Sequence, residues 1–252
     1  MKAYTDTIVN VWDFLAERFN THKENNEIHP DAAVNIHIGW PVFLDQIELQ
    51  RNFLGTKTLD ILDFGCGTGR FCKALHKKSY KVSGMDRSSK MIQVSKKNVS
   101  NTVTLYTEKS FDEAIKSKRL YRKFDVITSM HVFEWNENIE EIASTLIALL
   151  KSNGIILFAV FPKKHIIDSL AIKDLFEDFD SSENPTYGYA NFDGIKVPVF
   201  IRDAHFFDSL FYSLNCEKVL EFYPPYSKSF IKNYNWKGSL YPEMMILAYR
   251  KS

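Results

Sequence analysis

"ILDFGCGTGR", residues 61–70, sets three glycines at every second position directly after a short apolar run that carries an acid. Such a stretch reads as a strand that turns sharply into a helix. Residues with little side chain let a ligand lie against the backbone, and the helix N-terminus that follows favours polar or negative groups. The dinucleotide fingerprint is G-x-G-x-x-G. Here Gly65, Gly67 and Gly69 form G-x-G-x-G instead, preceded by Asp63, and Arg70 stands where the fingerprint needs its last glycine. A second strand, "KVSGMD", follows the helix and ends in Asp86. An acid at that point can accept both ribose hydroxyls of a nucleoside. Asp86 also has a second reading as a helix N-cap, because "DRSSK" comes next.

The pattern continues outward from this turn. "RFCKALHKK" and "SSKMIQVSKKN" are amphipathic helices, "TVTLYT" is a third strand, and "FDEAIKSKRL" a helix or loop. "FDVITSM" is a fourth strand. "IEEIASTLIALLKSNG" is a helix with Gly154 placed to end it, and "IILFAVF" a fifth strand. Strands alternating with helices imply parallel crossovers and an α/β, doubly wound sheet. Residues 1–55 read as a helical cover: Ile8, Val11, Trp12 and Leu15 share helical spacing, as do Phe43, Leu44 and Ile47, with a polar segment of loop or short helix between them. Residues 56–162 form the core and 163–202 an insertion after strand five. In it Asp193-Gly194 separates two β-like runs, a hairpin signal. Residues 203–252 add a last helix and two strands. The whole reads as a single domain.

Composition excludes several classes. The 252 residues carry a formal charge of +1, so net charge selects no partner. Charge is uneven along the chain, with fifteen Lys/Arg against four Asp/Glu from Arg70 to Lys123. No aromatic interleaving makes that stretch a nucleic-acid groove. No window is apolar enough for a membrane span, and the N-terminus lacks a signal-peptide core. Cys66, Cys72 and Cys216 make neither a disulfide framework nor a metal cluster, which fits a reducing cytoplasm. A monomer or homodimer with no metal is the expectation.

At these residues the chain resembles the class I S-adenosylmethionine-dependent methyltransferases. "LDFGCGTGR" is similar to that family's first motif and "VSGMDRSSKMI" to its second. "FDVITSMHVFEWNENIEEIASTLIALLKSNGIILFAVF" resembles its fourth-to-fifth-strand block. The resemblance implies a Rossmann-like, seven-stranded sheet with the last strand antiparallel, and S-adenosylmethionine lying over the carboxyl ends of strands one, two and four. Carried over by position, Asp63 orients the glycine turn or meets the amino group of the methionine part, and Gly65, Cys66, Gly67 and Gly69 line the cofactor. Asp86 takes the ribose, Arg87 and Met91 flank the adenine, and Met130 and His131 stand where cofactor and substrate meet. Where the family often carries an acid after strand three, this chain has Glu108, Lys109 and Ser110, so that acid is either absent or displaced to Glu108; Ser110 and Phe111 are the expected contacts, Phe111 with a second reading as core.

Methyl transfer is an in-line displacement that rests mostly on positioning. A general base is needed only for an acceptor that is protonated at neutral pH. His131 is the expected base, with a second reading as a cofactor contact; His205 and His37 are read as structural. The family frequently has Glu-His a few residues later, where this chain has Glu134-Trp135. Trp135 is expected to wall the acceptor pocket, and Trp40, in "HIGWP", to close over the cofactor. Tyr187 and Tyr189, with Phe192 and Phe200, come from the insertion and are read either as an acceptor cover or as a packed hairpin. Strand four lacks the Asn/Asp-Pro-Pro-aromatic tetrapeptide, and "YPPY" at 223–226 is read as a turn. A small-metabolite methyltransferase is the leading reading. The alternatives are an enzyme that moves the aminocarboxypropyl arm, a nicotinamide oxidoreductase (which Arg70 opposes), and a non-catalytic cofactor-binding scaffold.

Overall fold

A computed structural model of the protein describes residues 11–16, 19, 28–172, 175–179, 186–192 and 194–252. Ile8, the polar segment 20–27 and Asp193 lie outside them. Helix α1 (Pro30–Val34) runs through one wide π-turn (Asn35–Gly39) into α2 (Trp40–Phe53). Then come β1 (Asp60–Phe64), α3 (Arg70–Lys77), β2 (Lys81–Asp86), α4 (Ser89–Asn98), β3 (Thr104–Thr107), α5 (Glu108–Lys116) and β4 (Phe124–Met130). A 3-10 turn (Phe133–Trp135) leads to α6 (Ile139–Leu149) and β5 (Leu150–Val160). The insertion holds α7 (Lys163–Ala171), β6 (Phe176–Glu177), β7 (Tyr187–Phe192) and β8 (Ile195–Phe200). The chain ends with α8 (Ala204–Ser213), β9 (Cys216–Phe222), α9 (Lys228–Asn233) and β10 (Met245–Lys251). Residues 11–15 are also helical.

The seven-stranded sheet has the order β3-β2-β1-β4-β5-β10-β9. All pairs among β1 to β5 are parallel, and β10 is antiparallel to both its neighbours. The sheet therefore has the expected Rossmann-like form. The connections diverge between β1 and β4, so a crevice opens beyond their carboxyl ends, where such sheets bind ligands.

Side chains alternate across the sheet with period two. Ile155, Leu157 and Ala159 of β5 enter one core with Phe43, Ile47, Phe71 and Leu75 from α2 and α3. Ile156, Phe158 and Val160 enter the other with Phe111, Leu146, Phe207 and Phe211 from α5, α6 and α8. The insertion's strands form a separate three-stranded antiparallel sheet, β6-β7-β8, with its own cluster that also takes in Leu15, Trp135 and Phe161. No helix among the described residues is long and apolar enough to cross a membrane.

One local expectation is resolved and one changes. "FDEAIKSKRL" is helical from its start, because Thr107 and Ser110 form a capping box that begins α5. Gly154 does not end α6. That helix stops at Leu149, and Gly154 lies inside β5, where pairing jumps from Phe124–Leu150 to Val126–Ile155. The left-handed residue in this bulge is Asn153, at φ 62°. Gly154 is needed for room: a Cβ there would stand 3.0 Å from the Lys151 carbonyl and 3.2 Å from that of Asp125.

Phe158 lies inside the second core, with ring centroids 4.7 Å from Phe133, 4.9 Å from Phe207 and 5.5 Å from Phe211. Phe158→Ala is expected to cost about 3–5 kcal/mol of stability, the range for truncating a fully buried aromatic side chain. Urea unfolding measures it, and a loss below about 1 kcal/mol would show that the core collapses around the gap.

Candidate functional site

The turn after β1 is built from backbone hydrogen bonds that only small residues permit. Gly65 and Cys66 N–H both donate to the Met85 carbonyl, at 2.8 and 2.9 Å, which ties the turn to the end of β2. Gly65, Gly67 and Gly69 sit at φ 79°, 53° and 79°, in the left-handed region that costs other residues energy. Their roles differ. A Cβ on Gly65 would collide with Val132, and one on Gly69, the N-cap of α3, with Ser95 of α4. A Cβ on Gly67 meets nothing within 4 Å. Gly67 is thus the glycine that leaves open space, and the other two let elements approach.

Asp86 pins this turn from the second strand. One carboxylate oxygen accepts from Gly67 N–H at 2.8 Å and the other from Ser88 N–H at 2.9 Å. The helix N-cap is Ser88, whose hydroxyl accepts from Met91 N–H. Asp86 is therefore not the cap. Ser88 also donates its hydroxyl to Asp13, which accepts from Lys90 N–H as well, so the N-terminal cover is fastened beside Asp86. Asp63 accepts from the Thr128 hydroxyl at 2.9 Å and the Cys72 thiol at 3.4 Å. Burial pushes both carboxyls up to about 6, against these hydrogen bonds, which pull downward.

Around the turn lies a cavity of about 1560 Å³. That exceeds the roughly 300–1,000 Å³ of an ordinary small-molecule site, so a cofactor and an acceptor fit together. Asp63, Gly65, Cys66, Gly67, Asp86, Arg87, Met91, Phe111, Met130 and His131 line it, as do Trp40, Trp135 and Tyr187. The structure does not bring Gly69, Ser110 or Tyr189 to the lining. Gly69 is spent on helix packing. The Ser110 hydroxyl is taken up by the cap of α5, and Tyr189 meets Tyr187 through their hydroxyls at 2.9 Å. Phe111 has both of its readings, lining the cavity while packing on Phe64 and Tyr106. Arg87 donates to Glu108 at 2.9 Å and to Asn136 at 3.2 Å. Trp40 reaches the wall through the π-turn, where Gly39 lets the helix pass close to Met130 and Met244.

Beyond β4 the chain bends at once. His131 has φ 52°, while its N–H still continues the sheet to Ala159 at 2.9 Å. This bend and the 3-10 turn after it bring Glu134 back under the ring, and Nδ1 of His131 meets Oε1 of Glu134 at 2.6 Å. Nε2 is buried and has no hydrogen-bond partner among the described residues. Burial alone would lower the imidazole's pKa; the charge and hydrogen bond of Glu134, with the charge of Glu243, outweigh it and raise the pKa above 6.5. Trp135 Nε1 donates to the His131 carbonyl at 2.6 Å. Arg202, from the end of the insertion, donates to the carbonyls of Phe133, Asn136 and Glu137 at 3.3, 2.9 and 2.7 Å. His37 meets the Tyr234 hydroxyl and His205 is exposed; neither lines the cavity.

Sequence reasoning missed Glu134, Arg202, Asp13 and Trp12 as parts of the site. For Glu134 a signal existed, an acid three residues after the histidine. It has meaning only once His131 is known to bend the chain.

The buried acids give a pH signature. Asp63 titrates near 6 in the folded chain against 3.8 ordinarily. Between those values the folded state holds the extra proton. The stabilisation is complete below the lower value and is lost as pH rises through the upper. Without ligand, Asp63→Asn is expected to remove about 1–2 kcal/mol of the stability lost from pH 5 to pH 8. Urea unfolding at both pH values checks this, and an unchanged loss would defeat it.

Comparison with known proteins agrees with the geometry. A family model described as a methyltransferase domain matches residues 23–220. Malonyl-[acyl-carrier protein] O-methyltransferase of Halalkalibacterium halodurans is 32% identical over 104 residues, 40% of this chain and 38% of that protein. Ubiquinone biosynthesis O-methyltransferase of Actinobacillus pleuropneumoniae is 30% identical over 128 residues, 49% of this chain and 54% of that protein. These matches thus span about four-tenths to half of the relatives' own lengths. The crystal structure of an S-adenosylmethionine-dependent methyltransferase from Listeria monocytogenes superimposes with a TM-score of 0.58 at 18% identity, covering 77% of this chain and 91% of that one. By its matched domain the chain belongs to the methyltransferase-domain family, and its sheet has the fold of the S-adenosylmethionine-dependent methyltransferases.

Proposed function

We propose that the chain methylates a small-molecule acceptor, with His131 as general base and Glu134 as the residue that orients it. The observation that carries this is the cavity-lining His131, whose Nδ1 is held by Glu134 while the buried Nε2 has no partner. A carboxylate on one ring nitrogen fixes the tautomer, so that the other nitrogen can accept a proton. The relatives named as O-methyltransferases support methyl transfer, with oxygen as the acceptor atom.

The residues around the glycine turn fit the cofactor. Each Asp86 oxygen accepts one N–H and keeps a lone pair, enough for two neighbouring ribose hydroxyls. The space beside Gly67 and the N-terminus of α3 suit the methionine part, with Asp63 beneath the turn. Met91 and Phe111 offer apolar faces to the adenine, and Glu108, steadied by Arg87, offers its carboxylate to the adenine amino group. When bound, S-adenosylmethionine supplies an electrophilic methyl group. The protein's part is to hold the acceptor at Nε2, to exclude water with the aromatic wall, and to take up a proton on an imidazole stabilised by Glu134. On this reading the covers at 1–55 and 163–202 belong to one catalytic unit with the core.

Mass spectrometry of the protein incubated with S-adenosylmethionine and a pool of small metabolites tests the reading. The expected products are S-adenosylhomocysteine and an acceptor about 14 mass units heavier, the mass of one CH₂ carried over by the displacement. Release of methylthioadenosine would overturn it.

A base must be neutral to act, so kcat/KM should rise with pH through the raised pKa of His131. Glu134→Gln removes the main influence raising that pKa and should move the acid limb to lower pH. His131→Ala should lower kcat by roughly 10²–10⁴-fold, the usual contribution of a positioned base. Steady-state kinetics across pH decide both; an unmoved limb in Glu134→Gln would remove Glu134 from this role.

A further inference from the structure

The cavity near His131 has an unusual pairing of chemistry: its apolar surface is aromatic and its nearby charges are acids. The His131 ring lies 4.4 Å from that of Phe161. Phe161 meets Trp135 edge-on at 5.8 Å, and Trp135 meets Trp12 at 5.3 Å and Phe192 at 6.0 Å. These rings come from four separate segments, and all line the cavity.

The charges are one-sided. Glu134 and Glu243 both act on His131. Among the described residues the cations lining the cavity are Arg70, Arg87 and Arg202, with no lysine. Arg87 is held by Glu108 and Asn136, and Arg202 by three backbone carbonyls. Arg70 stands at the start of α3, its guanidinium 5.8 Å from the Trp40 ring, beside the glycine turn rather than beside His131. An anionic acceptor brought to a neutral Nε2 would meet two carboxylates, and the charge of Arg202 is already set against Glu134, Glu137 and Glu140. Such an acceptor would also have no use for the base, because a carboxylate is already deprotonated at neutral pH.

We infer that the acceptor is a largely apolar, planar molecule that presents a neutral, acidic hydroxyl, phenolic or enolic, and that the site selects against carboxylates. This rests on the methyltransferase reading and narrows its substrate. In the step, the O–H bond breaks and its proton goes to Nε2 of His131, which becomes an imidazolium paired with Glu134. The oxygen's electron pair forms the new O–CH₃ bond, and the electron pair of the broken C–S bond stays on sulfur, so the products are a methyl ether and S-adenosylhomocysteine. Charge leaves the sulfonium and appears on the imidazolium, where the acids already in place stabilise it. A cationic amine fits less well, because its nitrogen has no lone pair to attack with until it has lost a proton, whereas a hydroxyl oxygen has one throughout.

Titration calorimetry of the full chain tests this in two stages. The first measures S-adenosylhomocysteine binding. The second titrates the loaded protein, at about pH 7.5 where the acid is ionised and the hydroxyl is not, with three probes of one shape: 2-naphthol, 2-naphthoate and 2-naphthylmethylamine. The expected result is that 2-naphthol binds at least about tenfold more tightly than 2-naphthoate, because like charges brought together at a binding site are strongly penalised. Glu243→Gln should narrow that gap by strengthening 2-naphthoate alone. Tightest binding of 2-naphthoate or of the amine would overturn the inference. So would binding of S-adenosylhomocysteine with no probe bound, since the aromatic chamber would then not be the acceptor site. Failure at the first stage would instead overturn the methyltransferase reading, and the inference with it.

Discussion

One buried carboxylate carries the geometry of the crevice. Asp86 ends the second strand and accepts a backbone N–H from the turn after the first strand and another from the turn after its own. The two loops are thereby held at a fixed spacing. Burial makes this expensive, which is why the carboxyl is pushed up to about 6. A group kept in such a place is constrained by more than the turn it stabilises, and the two lone pairs it leaves unused point to what else it meets.

The second half of the site depends on the backbone at His131. A β-region residue there would carry the chain straight on from the fourth strand and leave Glu134 elsewhere. At φ 52° the chain folds under itself, and the i, i+3 spacing becomes an ion-pair geometry. Trp135 then bonds the His131 carbonyl, so the bend, the carboxylate and the aromatic wall are parts of one short loop. Strain of this kind is held in place by the surrounding structure. Here that structure includes the sheet bond to Ala159 and the guanidinium of Arg202.

Much of this could be read from the sequence, and the division has physical reasons. The glycine turn, the acid ending the second strand and the strand–helix alternation are local patterns whose meaning does not depend on distant residues. They gave the sheet and much of the cavity's lining. Glycine by itself is ambiguous: Gly65, Gly67 and Gly69 look alike as letters, yet only Gly67 leaves open space, and Gly154 serves a bulge rather than a helix end. Ser110 looks like a ligand contact until its hydroxyl is seen to be used by its own helix cap. The Trp12–Trp135 contact joins positions 123 residues apart; no spacing rule reaches that far. Arg202 bonds only carbonyls, which every residue has, so no sequence pattern marks it.

Arg202 also makes the small sheet and the loop after the fourth strand mechanically one piece. Its side chain leaves the end of the insertion and satisfies three carbonyls of the segment that frames Glu134 and Trp135. Swinging the insertion outward to admit a bulky molecule would strip those carbonyls of their donor and loosen the support beneath His131.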